Sequence, residues 1–214
     1  MPVKQRVLIT GANGQVGKKI AKQFATSFDV IGFSSHALDI RVPALIDKVF
    51  DTVRPDIVIN AAAYTKVDEA ESNVLVANEI NFHAVRHLCN AAQRHCSLVV
   101  HFSTDYVFDG LARRAYTEDD IPNPVNAYGL SKHAGDNHII KNANNYIIFR
   151  LAWVYDENGI NFPVKIIKAA MMNDQLKVVD DQFGTPSSAD FISQTVYQCI
   201  KKRDITNKSR SSEL

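Results

Sequence analysis

Arg6-Val7-Leu8-Ile9-Thr10-Gly11-Ala12-Asn13-Gly14-Gln15-Val16-Gly17 runs from a short apolar stretch through three spaced glycines into a helix-forming segment. The first five residues read as a buried strand and residues 15–26 as the helix after it. Between them, Gly11 permits a tight turn, Gly14 lets backbone approach a pyrophosphate, and Gly17 allows the helix to pack close to the strand. The helix start then offers free N–H groups and a positive dipole end to a phosphate. The spacing is G-x-x-G-x-x-G rather than G-x-G-x-x-G. Alone it is a weak signal; its strand–loop–helix setting makes Gly11, Gly14 and Gly17 candidates for cofactor binding.

The alternation continues along the chain. Residues 29–33, 56–60, 98–102 and 146–150 read as further strands. Residues 43–53 place Leu45, Ile46, Val49, Phe50 and Val53 at helical spacing, and residues 77–94 put Ile80, Ala84, Leu88 and Ala91 on one stripe. Near-continuous apolar strands separated by helices predict an α/β fold, its parallel sheet doubly wound and covered on both faces. After residue 155 the pattern changes to a helix over 162–172, a short strand over 177–179 and a helix over 189–201. The polar stretch 202–214 reads as a frayed tail. The expected division is a dinucleotide-binding domain over 1–155, a partial, smaller substrate lobe over 156–201, and the tail.

The chain has 214 residues, 46% hydrophobic and 22% charged, with a net charge of +1. That balance gives no electrostatic case for nucleic acid or an anionic membrane as the main partner. No apolar run approaches the roughly 20 residues that span a bilayer. The N-terminus enters the first strand without a signal-peptide pattern, so a cytoplasmic location is expected. Cys89, Cys96 and Cys199 are odd in number and lack C-x-x-C spacing, as reduced thiols would.

Tyr128 and Lys132 lie four residues apart in a helix-forming segment, and so share one face. A lysine ammonium beside a phenol lowers its pKa from about 10 and fits it to protonate a carbonyl oxygen. The competing interpretation is a surface helix pair. The glycine loop and the segment His101-Phe102-Ser103-Thr104-Asp105, at the expected carboxyl end of a strand, precede the pair in the order such chemistry needs. The Thr104 hydroxyl is placed to hydrogen-bond the same carbonyl.

The second strand ends Phe33-Ser34-Ser35-His36 without the usual acid for ribose hydroxyls. Either Ser34 contacts the ribose or a 2′-phosphate is tolerated, with Arg41 the nearest arginine, so NADPH and NADH are both allowed. Asp39-Ile40 fits either adenine recognition or a helix-capping acid. Ala61, Ala62 and Ala63 end a central strand in side chains small enough for a cofactor to lie across, or for tight helix packing.

Thr104, Tyr128 and Lys132 together resemble the machinery of the short-chain dehydrogenase/reductase superfamily, in its extended, sugar-nucleotide form. The segments 100–110, 128–132, 149–155, 179–186 and 60–71 sharpen this to a resemblance to the dTDP-4-dehydrorhamnose reductase family, covering residues 6 to 200. The resemblance implies a Rossmann-type fold with Thr104, Tyr128 and Lys132 as the catalytic set. It implies that Gly14, Gln15, Val16, Asp39, Ile40, Ala63, Tyr64 and Thr65 contact an NAD(P)H cofactor, with Tyr128 and Lys132 beside it. Thr104, Asp105, Tyr128 and Trp153 would contact the nucleotide-sugar substrate, the indole covering its apolar side; plain core packing is the alternative for Trp153. The implied reaction reduces the 4-keto group of dTDP-4-dehydro-L-rhamnose, for cell-surface polysaccharide synthesis.

Two departures stand out. Family members continue well past residue 200, so the substrate lobe reads as truncated. Some also bridge a homodimer through Mg²⁺ held by carboxylates, whereas Lys18 and Lys19 in the first helix would repel a cation. His83 and His87 are read as helix surface rather than a metal pair. A homodimer is allowed by the resemblance, and no metal is expected. The competing functions are a dinucleotide-binding regulatory subunit, like the β subunit of methionine adenosyltransferase, and a truncated reductase that does no chemistry.

Overall fold

The computed structural model describes residues 4–211, with side chains described as far as Arg203. Five strands, β1 (Arg6–Thr10), β2 (Asp29–Phe33), β3 (Ile57–Asn60), β4 (Leu98–Thr104) and β5 (Tyr146–Leu151), form one parallel sheet in the order β2-β1-β3-β4-β5. Alternation sorts their side chains onto two faces. Leu8, Val58 and Val99 face one way, where α2 (Pro43–Val53), α5 (Ala84–Arg94) and α6 (Ala127–Asn142) bring Ile46, Phe50, Leu88 and Ile139 against them. Val7, Ile9, Ile57, Ile59, Leu98 and Val100 face the other way, onto Ile20 and Phe24 of α1 (Gln15–Phe24).

That second face is completed by α8 (Ala189–Ser211), whose Ile192, Val196 and Ile200 are buried beside α1. The helix grouped by sequence with residues 156–201 thus packs on the sheet of residues 6–151. It also runs through most of the stretch expected as a frayed tail. No glycine or proline interrupts residues 189–211, so nothing in the backbone chemistry stops the helix where its apolar stripe ends. Residues 212–214 of that stretch lie outside the described residues.

Two other expectations are corrected. The helix expected over 77–94 begins earlier and is interrupted: α3 (Val67–Ala70) and α4 (Val74–Asn78) lead into a π-helical turn at Glu79–His83 before α5. Asn81, within that turn, is buried on the same stripe as Ala77, Ala84 and Leu88. Residues 177–179 are irregular; the short pairing lies instead between β6 (Val154–Tyr155) and β7 (Ser187–Ser188). A strand needs a partner for its N–H and C=O groups, and no pairing is formed at 177–179. The remaining helix, α7 (Phe162–Ala170), starts at an Asn161 side chain that accepts from Val164 N at 3.2 Å.

Strand order reverses between β1 and β3. In open parallel sheets the crevice at the carboxyl end of that reversal is where ligands sit.

Candidate active site

The loop after β1 and the loop after β3 meet at this reversal. Gly11 adopts φ +66°, and a Cβ there would lie 2.6 Å from Ala61 O. At Gly17 a Cβ would strike Gly11 O, so only hydrogen lets α1 start this close to the strand. Gly14 forms the N-cap of α1, whose first turn holds no acid and no side-chain cap. Its leading N–H groups, from Gln15, Val16 and Gly17, are thus left for a ligand, and the positive dipole end fits a pyrophosphate. Gln15 also reaches outward, its Oε1 accepting from Asn161 Nδ2 at 2.8 Å.

At the end of β2 the candidates separate. Ser34 closes a turn, its O accepting from Leu38 N at 2.9 Å. Ile40 is buried in the core with Leu8 and Leu38, so it is packing under α2 rather than a free apolar floor. Asp39 is gripped by Arg41, whose Nε and Nη2 lie 2.9 and 2.6 Å from its two oxygens. This guanidinium holds the Asp39 carboxyl below its usual range. Asp39 does not cap α2, whose N-cap is Val42.

After β3, Ala61 and Ala62 are half-buried and Ala63 and Thr65 exposed. Tyr64 is clamped by Asn81, which accepts from Tyr64 N at 2.9 Å and donates to Tyr64 O at 3.0 Å. The Asn81 amide also donates to Ser131 Oγ at 3.0 Å, tying this loop to α6. For Asn81 the signal was an amide on the stripe shared by Ala77, Ala84 and Leu88, a polar side chain that must be buried and therefore paired.

The reaction candidates come together on β4 and α6. β4 runs two residues further than expected, so Ser103 and Thr104 belong to the strand. Thr104 Oγ1 donates to Asp105 Oδ1 at 2.9 Å and accepts from Tyr106 N at 3.2 Å. α6 opens at Asn126, whose side chain accepts from Gly129 N at 2.7 Å. A Cβ at Gly129 would strike Tyr106 O, so this glycine lets α6 seat against the end of β4. Tyr128 and Lys132 are 8% and 2% exposed, which removes the surface-pair alternative. Tyr106 packs edge-on to Tyr128 at 5.7 Å.

The electrostatics differ from expectation. Burial pushes the Tyr128 phenol up to about 12, and a hydrogen bond with the Thr104 side chain pulls the other way. The expected lowering by Lys132 is absent, because its amine is turned into the sheet. Nζ donates to Phe102 O at 2.5 Å and lies 3.3 Å from His101 Nε2. Burial lowers Lys132 to about 8, against the charge of Asp136. Asp136, one turn along α6, accepts from Ser103 Oγ, and burial raises its carboxyl. Burial likewise raises Asp105. His101 and Asp136 were missed as site residues. For His101 the signal was a polar side chain inside a run of apolar strand residues, which must be buried and therefore paired.

Trp153 stands at the end of β5, two residues beyond Leu151, the residue paired with Thr104. It is 44% exposed, takes a left-handed φ of 46°, and would collide with any Cβ at Gly184. Left-handed backbone is costly for a bulky residue and marks a position held by its surroundings. Lys19 is occupied by Asp156 and Asp190, at 3.0 and 2.8 Å. Among the described residues no three His, Cys, Asp or Glu side chains are grouped to hold a metal, and no helix is long and apolar enough to cross a membrane.

A family profile described as the RmlD substrate binding domain matches residues 5–212. A dTDP-4-dehydrorhamnose reductase of Burkholderia thailandensis is 40% identical over 86% of this chain and 62% of its own length. That of Aggregatibacter actinomycetemcomitans is 39% identical over 92% and 68%. The chain therefore spans about two thirds of the length of these relatives. The crystal structure of a dTDP-4-dehydrorhamnose reductase from Bacillus anthracis in complex with NADP superposes with a TM-score of 0.90 at 36% identity, over 93% of this chain and 71% of that one. An orthologue from Clostridium acetobutylicum gives 0.90 at 39%, over 94% and 71%. By the extent of this match in sequence and in fold, the chain belongs to the dTDP-4-dehydrorhamnose reductase family.

Proposed function

We propose that this chain is an NAD(P)H-dependent reductase of the 4-keto group of dTDP-4-dehydro-L-rhamnose, giving dTDP-L-rhamnose. The observation that carries this is that buried Thr104, Tyr128 and Lys132 lie on β4 and the helix packed against it. Thr104 stands at the carboxyl end of the parallel sheet, the end that also carries the glycine loop after β1. The glycine cradle, closed to any Cβ, and the acid-free start of α1 fit a dinucleotide. Gly11 to Gly17 would hold its pyrophosphate, Ser34 and Asp39 its adenosine end, and Ala61 to Thr65 the path across the sheet. When bound, the reduced nicotinamide supplies hydride.

The rest falls to the chain. Thr104 orients the keto oxygen, and Tyr128 gives it a proton. A phenol raised to about 12 is protonated throughout the neutral range, the state a proton donor in reduction must have. Lys132 would bind the cofactor ribose. Asp105 and Trp153 would face the sugar. The test is NADPH oxidation with the keto sugar by the intact chain, compared with Tyr128→Phe.

One observation favours the second reading, dinucleotide binding without turnover. The segment that would cover the sugar carries Phe162, Met171, Met172 and Phe183 exposed, the last at 98%. NADPH binding without any oxidation would select it. A homodimer rests on the resemblance alone. A cytoplasmic location is proposed on the three unpaired cysteines, as a reducing compartment would leave them.

A further inference from the structure

Behind Lys132, buried polar side chains form a row across three adjacent strands: Thr10 on β1, Asn60 on β3 and His101 on β4. In an otherwise apolar sheet such groups must satisfy one another. Their directions follow from one end. Ala62 N–H, which can only donate, lies 3.3 Å from Asn60 Oδ1, and Thr10 Oγ1 lies 2.6 Å from the same oxygen. The amide oxygen therefore faces Ala62 and Thr10, and Nδ2 faces His101. At 3.1 Å, Nδ2 donates to His101 Nδ1, which makes Nδ1 an acceptor. Burial, with Lys132 beside it, holds His101 well below its usual range, so the ring is neutral and its one proton is on Nε2.

That Nε2–H points at Lys132 Nζ, 3.3 Å away, with Asp136 Oδ1 at 3.7 Å. Asp136 Oδ1 has no hydrogen-bond partner, the 3.7 Å to His101 being too long for one. A donor facing an ammonium opposes its charge, and a donor facing a neutral amine completes a hydrogen bond.

We infer that His101, held in its Nε2–H form by Asn60, is a positioning residue that sets both the place and the protonation state of the Lys132 amine. The inference rests on the assignment of Lys132 to the proposed site. The groups facing this amine are His101 and Phe102 O from β4 and Asp136 from α6. Arg150 on β5 acts on Asp136 in turn. Asp136 favours the ammonium and burial opposes it, which leaves Lys132 lowered to about 8; the donor face of His101, 3.3 Å away, adds to that opposition.

The isosteric change Asn60→Asp replaces the donor at Nδ1 with an acceptor. The ring should then carry its proton on Nδ1 and turn the Nε2 lone pair to Lys132, raising the lysine titration by about one pH unit or more. Long-range ¹H–¹⁵N correlation reads the tautomer, and the ¹⁵Nζ shift reads Lys132, both in the intact chain and without turnover. The expected result is Nε2–H in the unsubstituted protein across neutral pH, and Nδ1–H with a raised Lys132 titration in N60D. The alkaline limb of kcat should move up with it. An Nδ1–H ring in the unsubstituted protein overturns the inference, as does an N60D chain whose tautomer and Lys132 titration are unchanged. If N60D fails to fold, the unsubstituted tautomer still decides. Failure of the unsubstituted chain to oxidise NADPH would sink the reductase assignment instead, and the tautomer measurement would stand apart from it.

Discussion

Tyr128 is a buried phenol whose nearest help is Thr104, and its behaviour in solution follows from that. Tyr128→Phe removes the proton donor while leaving the ring against Tyr106, so turnover should fall by roughly 10²–10⁴-fold with NADPH affinity unchanged. Single-turnover kinetics beside cofactor titration checks both halves, and full turnover would end the assignment. Because burial raises the phenol from 10.0 to about 12, its phenolate absorbance should appear only near the upper value, in a difference titration against Tyr128→Phe. The sign for stability follows. The folded state keeps its proton where the unfolded chain loses it, so this contribution is intact below about 10 and is lost as the pH rises through about 12. Melting scans across that window should fall more steeply in the unsubstituted protein than in Tyr128→Phe.

At the scale of elements, two contacts help to hold the site in place. α8 covers the sheet face that α1 alone leaves open, and Ile200 is buried there. Ile200→Ala should cost about 2–5 kcal/mol, read as a lowered urea midpoint at constant slope. An unchanged midpoint would mean that α8 is not part of the cooperative unit. The second contact is between the start of α1 and the β1 loop. Gly17→Ala places a Cβ into Gly11 O, so the loop must move away from its cradle geometry. NADPH affinity should drop by about 1–3 kcal/mol, with some loss of melting temperature as well, since the displaced Gly11 is half-buried against the loop after β3. Calorimetry decides it; equal affinity would show that the cradle does not hold the pyrophosphate.

Across the whole molecule, the cofactor side and the sugar side are unequally built. The strand reversal, the glycine loop and Ala61 to Thr65 rest on a sheet packed on both faces. The segment carrying α7 and Phe183 leaves large apolar groups exposed. Titrating this chain with NADPH and then with dTDP should therefore give clear cofactor binding and much weaker nucleotide binding, because a pocket open on one side leaves base and diphosphate short of partners. Tight dTDP binding would show that the sugar side suffices as it stands.

What could be read from the residues alone was local. Val7 to Thr10 must be strand and Gln15 onward helix, because hydrophobic period and glycine spacing act over a few residues. From that alternation follow the parallel sheet and the crevice, and the Tyr128–Lys132 spacing places both side chains on one helical face. Tertiary packing decided the rest. Residues 177–179 have strand-forming side chains but no strand beside them, and α8 stays helical past its apolar stripe because nothing in its backbone ends it. Ile40 could not be told from a ligand floor until the core closed over it. Asn81 lies on the apolar stripe of its helical run, but that its amide clamps Tyr64 and reaches Ser131 was decided by the fold. Lys132 would lower the Tyr128 pKa if spacing were all that mattered. Its amine instead lies against Phe102 O and His101, about thirty residues away in the chain, because a buried amine goes where a carbonyl accepts its proton, and only the folded sheet determines where that lies.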